Sequence, residues 1–220
     1  MAIILNIDTA VGPASVCLSS EAQPVQFAIS ENQKDHASWL HPAIKRILAD
    51  AKMDTRQLEA IAVTIGPGSY TGLRIGLATA KGLCFALQIP LIGINTLEMM
   101  ANAVKEEEAD LFCPVIDARR MEVFMACYNK KMEVIAEPCA MIVSPNSFDS
   151  LLQSGKTVFT GNGSEKIRQT IDHPNAVYRN TKISAMDMIS LSAKSYADKR
   201  FADIAYSEPF YIKEFYSAAG

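Results

Sequence analysis

The chain opens with a continuous apolar, β-branched run from Ala2 to Ile7, the pattern of a strand buried on both faces. Asp8 to Pro13 is a turn, and strands follow at Ala14 to Leu18 and Val25 to Ile29. Leu40, Ile44, Ile47 and Ala51 recur at helical spacing, predicting a helix over His36 to Ala51 with Asp35 as N-cap and Pro42 near its start. Ala60 to Ile65 is another buried strand, ending in a glycine turn, and a helix is predicted from Thr71 to Leu87. A short strand, Leu91 to Ile94, and a helix from Thr96 to Glu107 complete the first half, which closes on the acidic run Glu106–Glu107–Glu108.

The second half repeats that order. Phe112 to Asp117, Met121 to Tyr128 and Met132 to Ile142 read as strands. Ser144–Pro145 reads as the start of a helix to Gln153, since proline suits a first helical turn. Then come a strand at Lys156 to Thr160, the turn Gly161–Asn162–Gly163, a helix at Ser164 to Ile171 and another at Ala185 to Arg200. The apolar tail Glu208 to Ile212 is expected to dock. A β-β-β-α-β-α order thus occurs twice, implying two α/β subdomains with mixed sheets facing one another across a cleft. We place them at residues 1–105 and 106–220, with the last segment packing back on the first.

Composition narrows the function classes. A net charge of −3 supplies no electrostatic footprint for nucleic acid. No apolar run reaches the roughly 18 residues of a membrane span, and Asp8 interrupts the N-terminal run too early for a signal peptide. The five cysteines, at 17, 84, 113, 127 and 139, form no CxxC pair and read as reduced, buried thiols of a cytoplasmic protein.

Asp8 and Asp117 each end the first strand of a half. They are candidates to hold Mg²⁺ through water beside a nucleotide phosphate, or simply to cap the turns that follow. Gly66–Pro67–Gly68–Ser69–Tyr70–Thr71–Gly72 and Gly161–Asn162–Gly163 are strand–turn–helix elements suited to anion contact or to tight turning. With Thr9 they complete the candidate nucleotide or anion residues: Asp8, Thr9, Gly66, Gly68, Ser69, Asp117, Gly161 and Gly163. The first turn is neither a Walker loop nor a dinucleotide fingerprint, and the second is shorter. Gly72, Gly76 and Ala80 fall on one helix face, a row without bulk that admits a close neighbour from this chain or another. Arg119 and Arg120 follow Asp117 and could pair with it or with a partner's carboxylates. His36 and His41 are five apart and diverge on a helix, so the HExxH zinc spacing is absent. No GxSxG elbow supports a serine nucleophile, and no catalytic or metal-ligating residue is assigned.

Three segments carry a family resemblance: Ile7–Asp8–Thr9, Gly66 to Gly76 (GPGSYTGLRIG) and Pro114 to Phe124 (PVIDARRMEVF), with Pro209 to Lys213 at the end. Together they resemble the TsaB (YeaZ) family over most of the chain. The resemblance implies the duplicated actin-like fold shared with acetate and sugar kinases and Hsp70 (the ASKHA, ribonuclease H-like class). It implies a part in making threonylcarbamoyladenosine at position 37 of tRNAs that read ANN codons. The implied partners are a TsaD-like transferase and a TsaE-like ATPase, with a homodimer in isolation, tRNA reached only through the complex and no membrane. The family pairs through its two N-terminal helices, which here carry His36, Leu40, Ile44, Tyr70, Gly72, Leu73, Gly76 and Ala80. TsaD's paired-histidine metal motif is missing, so its transferase chemistry and the old glycoprotease label are not carried over. No cofactor is required on this reading, which leaves room for weak ATP or ADP binding at the cleft or at the partner interface. The alternative, from fold alone, is an ATP-dependent phosphotransferase; a metallopeptidase is disfavoured by the histidine spacing.

Overall fold

The computed structural model describes residues 2–31 and 35–213. It divides into two units. In the first, β1 (Ile3–Asp8), β2 (Ser15–Ser20) and β3 (Gln23–Ile29) form an antiparallel meander. Helix α1 (His36–Asp50) leads to β4 (Ala60–Gly66), and α2 (Tyr70–Leu87) leads to β5 (Leu91–Asn95) and α3 (Thr96–Asn102). β4 pairs parallel with β1, and β5 parallel with β4, giving the sheet order β3-β2-β1-β4-β5. β1 is therefore central, which is why its apolar run is continuous rather than alternating. Leu5 and Ile7 pack with Leu40, Ile44, Ile47, Leu77 and Ala80 of α1 and α2.

The second unit has the same connectivity. β6 (Leu111–Asp117), β7 (Glu122–Asn129) and β8 (Val134–Ile142) form the meander, followed by α4 (Asp149–Ser154), β9 (Thr157–Thr160), α5 (Ser164–Arg168) and β10 (Ala176–Arg179). The order β10-β9-β6-β7-β8 is the first unit's order read from the other edge, with the same parallel and antiparallel pairings. Its core gathers Val115, Met125, Phe148, Leu152, Phe159 and Ile167, with Phe148 edge-on to Phe159 at 4.9 Å between ring centroids.

Several expectations are corrected. Residues Lys182–Pro209 belong with the first unit, the side on which the last segment was expected to pack, so the second unit's main body ends at Thr181, and the first break falls at Met99. The reason is the second face of β1, which needs cover. A 3₁₀ turn at Ala185–Met188 packs on β1 and β2, and α6 (Ile189–Ala197) packs on β1 and β5. Helix α3 stops at Asn102 because the backbone tightens to i→i−3 bonds at Val104 and Glu107. The helix expected from Ser144 is confined to Asp149–Ser154. Upstream, Ser144 N–H donates to Ser147 Oγ at 2.8 Å and Ser147 N–H to Ser144 O at 3.1 Å, closing a turn instead. The Asp35 side chain makes no capping hydrogen bond to α1. Phe210 and Tyr211 of the tail remain 38% and 37% exposed, so docking there is partial.

Candidate functional site

Asp8 ends the central strand and its carboxyl is fully buried. Oδ1 accepts from Ala10 N–H at 3.0 Å and from the Thr64 hydroxyl at 2.9 Å; Oδ2 has no hydrogen-bond partner among the described residues. Burial pushes the carboxyl up to about 6, against the pull of Ala10 and Thr64, and the Asp187 carboxylate adds to the rise. Asp187 is itself raised by burial, while its Oδ2 accepts from Ser184 N–H at 2.7 Å.

The first glycine turn packs directly on the segment after β1. Thr9 Oγ1 donates to Gly72 O at 2.8 Å, and Ser69 N–H donates to Ala10 O at 2.7 Å. A Cβ at Gly68 would strike Ala10 O, and one at Gly76 would strike Thr9 Oγ1. Ser69 caps α2, its Oγ accepting from Gly72 N–H at 3.2 Å. Asp8, Thr9, Gly66, Gly68 and Ser69 are thus gathered in one place. Gly68 and Gly72 are explained by close backbone approach and Gly66 by its positive φ, and the Ser69 and Gly72 N–H groups are already engaged.

The second unit repeats the packing with different electrostatics. Gly163 N–H donates to Val115 O at 3.1 Å, and a Cβ at Gly161 would lie 2.5 Å from Val115 O. Asn162 Oδ1 accepts from Asp117 N–H at 2.9 Å, bringing Asp117, Gly161 and Gly163 together. Asp117 is exposed, and Lys166 donates to its Oδ1 at 2.7 Å. Although partial burial raises the carboxyl, Lys166 and Arg119 N–H outweigh it and hold it below its ordinary value. Arg119 and Arg120 both take positive φ in the hairpin after Asp117.

The residues expected on the pairing helices differ in how far they are buried. Leu40, Ile44, Gly72, Leu73, Gly76 and Ala80 are all buried in the unit's own core, and only His36 and Tyr70 are half-buried. The small-residue row is filled from within by Thr9 and Val63. The outward face of α2 carries other residues: Arg74, Ala78, Gly82, Phe85 and Ala86, with Phe85 74% exposed. A Cβ at Gly82 would meet nothing within 4 Å. Beside it lies a groove of about 370 Å³ lined by His41, Ile44, Lys45, Leu48, Met53 and Leu83.

Sequence reading missed Thr64, Asp187, Lys166 and Phe85. Thr64 could be found by registering β4 on β1, where Val63 pairs with Ile7. Asp187 carried no such signal, because it arrives from the far end of the chain. Among the described residues, no three histidine, cysteine or acidic side chains gather where they could hold a metal, and no helix is long and apolar enough to cross a membrane.

The family model described as tRNA N6-adenosine threonylcarbamoyltransferase, TsaD, matches residues 29–214. The tRNA threonylcarbamoyladenosine biosynthesis protein TsaB of Bacillus subtilis is 31% identical over 77% of this chain and 75% of its own. The chain belongs to the TsaB (YeaZ) family. The Escherichia coli TsaB is 29% identical over 96% of this chain and 94% of its own length. YeaZ from Pseudomonas aeruginosa superimposes with a TM-score of 0.79 at 26% identity, over 96% of this chain and all of that one. A second Pseudomonas aeruginosa structure, an uncharacterized protein with similarity to peptidase YEAZ, reaches 0.84 at 26% identity, over 97% of this chain and 100% of that one. The duplicated sheet order is that of the actin-like fold, and it is the TsaB-family sequence that fills it here.

Proposed function

We propose that this chain serves tRNA threonylcarbamoyladenosine biosynthesis as a non-catalytic subunit that pairs with a TsaD-type transferase, with a TsaE-type ATPase joining them. The outward face of α2 carries the reading. Phe85 stands 74% exposed there, the most exposed large side chain on that helix. Gly82 costs its helix roughly 1 kcal/mol against alanine, and no internal contact requires it. A helix from another subunit, approaching closely over Ala78 and Gly82 with Phe85 at its flank, accounts for both. In isolation a second copy presents the same face, so self-pairing is expected.

Reconstitution tests the proposal: the modified nucleoside is measured by mass spectrometry with the transferase and ATPase present, with and without this chain. Omission is expected to abolish modification, and full-rate modification without the chain would overturn the proposal. Phe85→Asp is expected to reproduce the omission. The competing reading is ATP-dependent phosphoryl transfer by the chain itself. MgATP turnover by the isolated protein, lost in Asp8→Asn, would replace our proposal with that one.

A further inference from the structure

Three sulfur-bearing strands lie side by side in the second unit. Cys113 on β6 and Cys127 on β7 are both completely buried in one apolar cluster, and Cys139 on β8 is half-buried beside it. The β6–β7 register pairs Phe112 with Tyr128 and Val115 with Met125. The residue count is the same on both sides, so Cys113 stands opposite Cys127. Directly opposed antiparallel residues have Cα atoms about 4.5–5.5 Å apart, inside the roughly 4.4–6.8 Å that a disulfide spans. Opposed residues of an antiparallel pair project to the same face of the sheet, so the two side chains are neighbours there. The neighbouring Cys113 thiol holds Cys127 below the ordinary thiol value despite its burial, while burial drives Cys113 well above it. The Cys139 thiol is turned to Met125 Sδ at 3.5 Å.

We infer that Cys113 and Cys127 are a dithiol site that a small hydroperoxide oxidises to a cross-strand disulfide. The Cys127 sulfur attacks the peroxide; the O–O bond breaks, water or alcohol leaves, and Cys127 becomes a sulfenic acid. The Cys113 sulfur then displaces that oxygen, which departs as water with the Cys113 proton, and the S–S bond forms. The two thiols lose two electrons together and the peroxide gains them. The cross-link ties the two strands that carry the Asp117–Glu122 hairpin.

Peptide mapping of the native full-length chain tests this. After mild hydrogen peroxide treatment, alkylation in denaturant is expected to label three of the five cysteines. The map is expected to contain a linked Cys113–Cys127 peptide, and dithiothreitol to restore all five labels. Cys139→Ser should leave the cross-link intact. In Cys113→Ala the Cys127 sulfenic acid has no neighbour to displace it and should be trapped by dimedone. Five labelled thiols after treatment, oxidation confined to Cys139, or a link that forms only after unfolding would each overturn the inference.

Discussion

Asp8 offers a measurable consequence of burying a carboxyl at the end of a central strand. One oxygen is satisfied by Ala10 and Thr64; the other has no partner among the described residues, and Asp187 opposes ionisation. The group moves from its ordinary 3.8 to about 6 on folding. At roughly 1.4 kcal/mol per tenfold change in proton affinity, ionised Asp8 costs the folded state about 3 kcal/mol. The sign follows from the folded value lying above the unfolded one. The folded state holds a proton that the unfolded chain has released, so the favourable contribution is complete below about pH 4. It is lost as pH rises to about 6. Other carboxyls titrate in the same window, so the comparison is between wild type and Asp8→Asn, which keeps the Oδ1 contacts and removes the charge. Urea unfolding from pH 4 to 8 should show the two nearly equal at the acid end. Asp8→Asn should gain up to about 3 kcal/mol by pH 7. A stability difference that stays constant across this range would refute the account of Asp8 as a desolvated, under-satisfied acid.

Two glycines on α2 should respond in opposite directions. Gly76→Ala drives a methyl into Thr9 Oγ1 and should cost about 1–3 kcal/mol in urea unfolding, whereas Gly82→Ala should gain up to about 1 kcal/mol. Phe85→Asp should shift the isolated protein to monomer in light scattering while leaving Tm within a few degrees, since the side chain supports nothing in its own unit. Lys166→Met should let the Asp117 carboxyl rise toward its ordinary value, followed by carbonyl-carbon NMR titration. Because Asp117 lies below that value in the folded wild type, the stabilisation lost is that present above the ordinary carboxylate range.

Much of the fold was legible because its signals are local. The runs at Ala2 to Ile7 and Ala60 to Ile65 are too apolar for half-exposed strands, and β1 and β4 do occupy the interior of one sheet. The small row Gly72–Gly76–Ala80 correctly announced a close approach, but spacing does not name the approaching group, which is Thr9 from the same unit. What sequence could not supply was long-range. β10 is four residues with one β-branched side chain, and it exists because β9 offers it a parallel edge. Asp187 faces Asp8 only because the chain returns to cover the second face of β1.

The duplication sharpens the functional argument. Asp8 and Asp117 occupy the same topological position, each ending the first strand of a five-stranded sheet against a glycine turn. The backbone logic has been kept in both units, since Gly68 is forced by Ala10 O and Gly161 by Val115 O. The electrostatics have not. Asp8 is buried and raised, with no partner for Oδ2 among the described residues, while Asp117 is exposed and neutralised by Lys166. Here a protonatable acid and a salt-bridged one stand in the two positions, each beside a turn that packs on its strand. The proposed pairing draws instead on the outward face of α2, where Phe85 stands exposed and a Cβ at Gly82 would meet nothing within 4 Å.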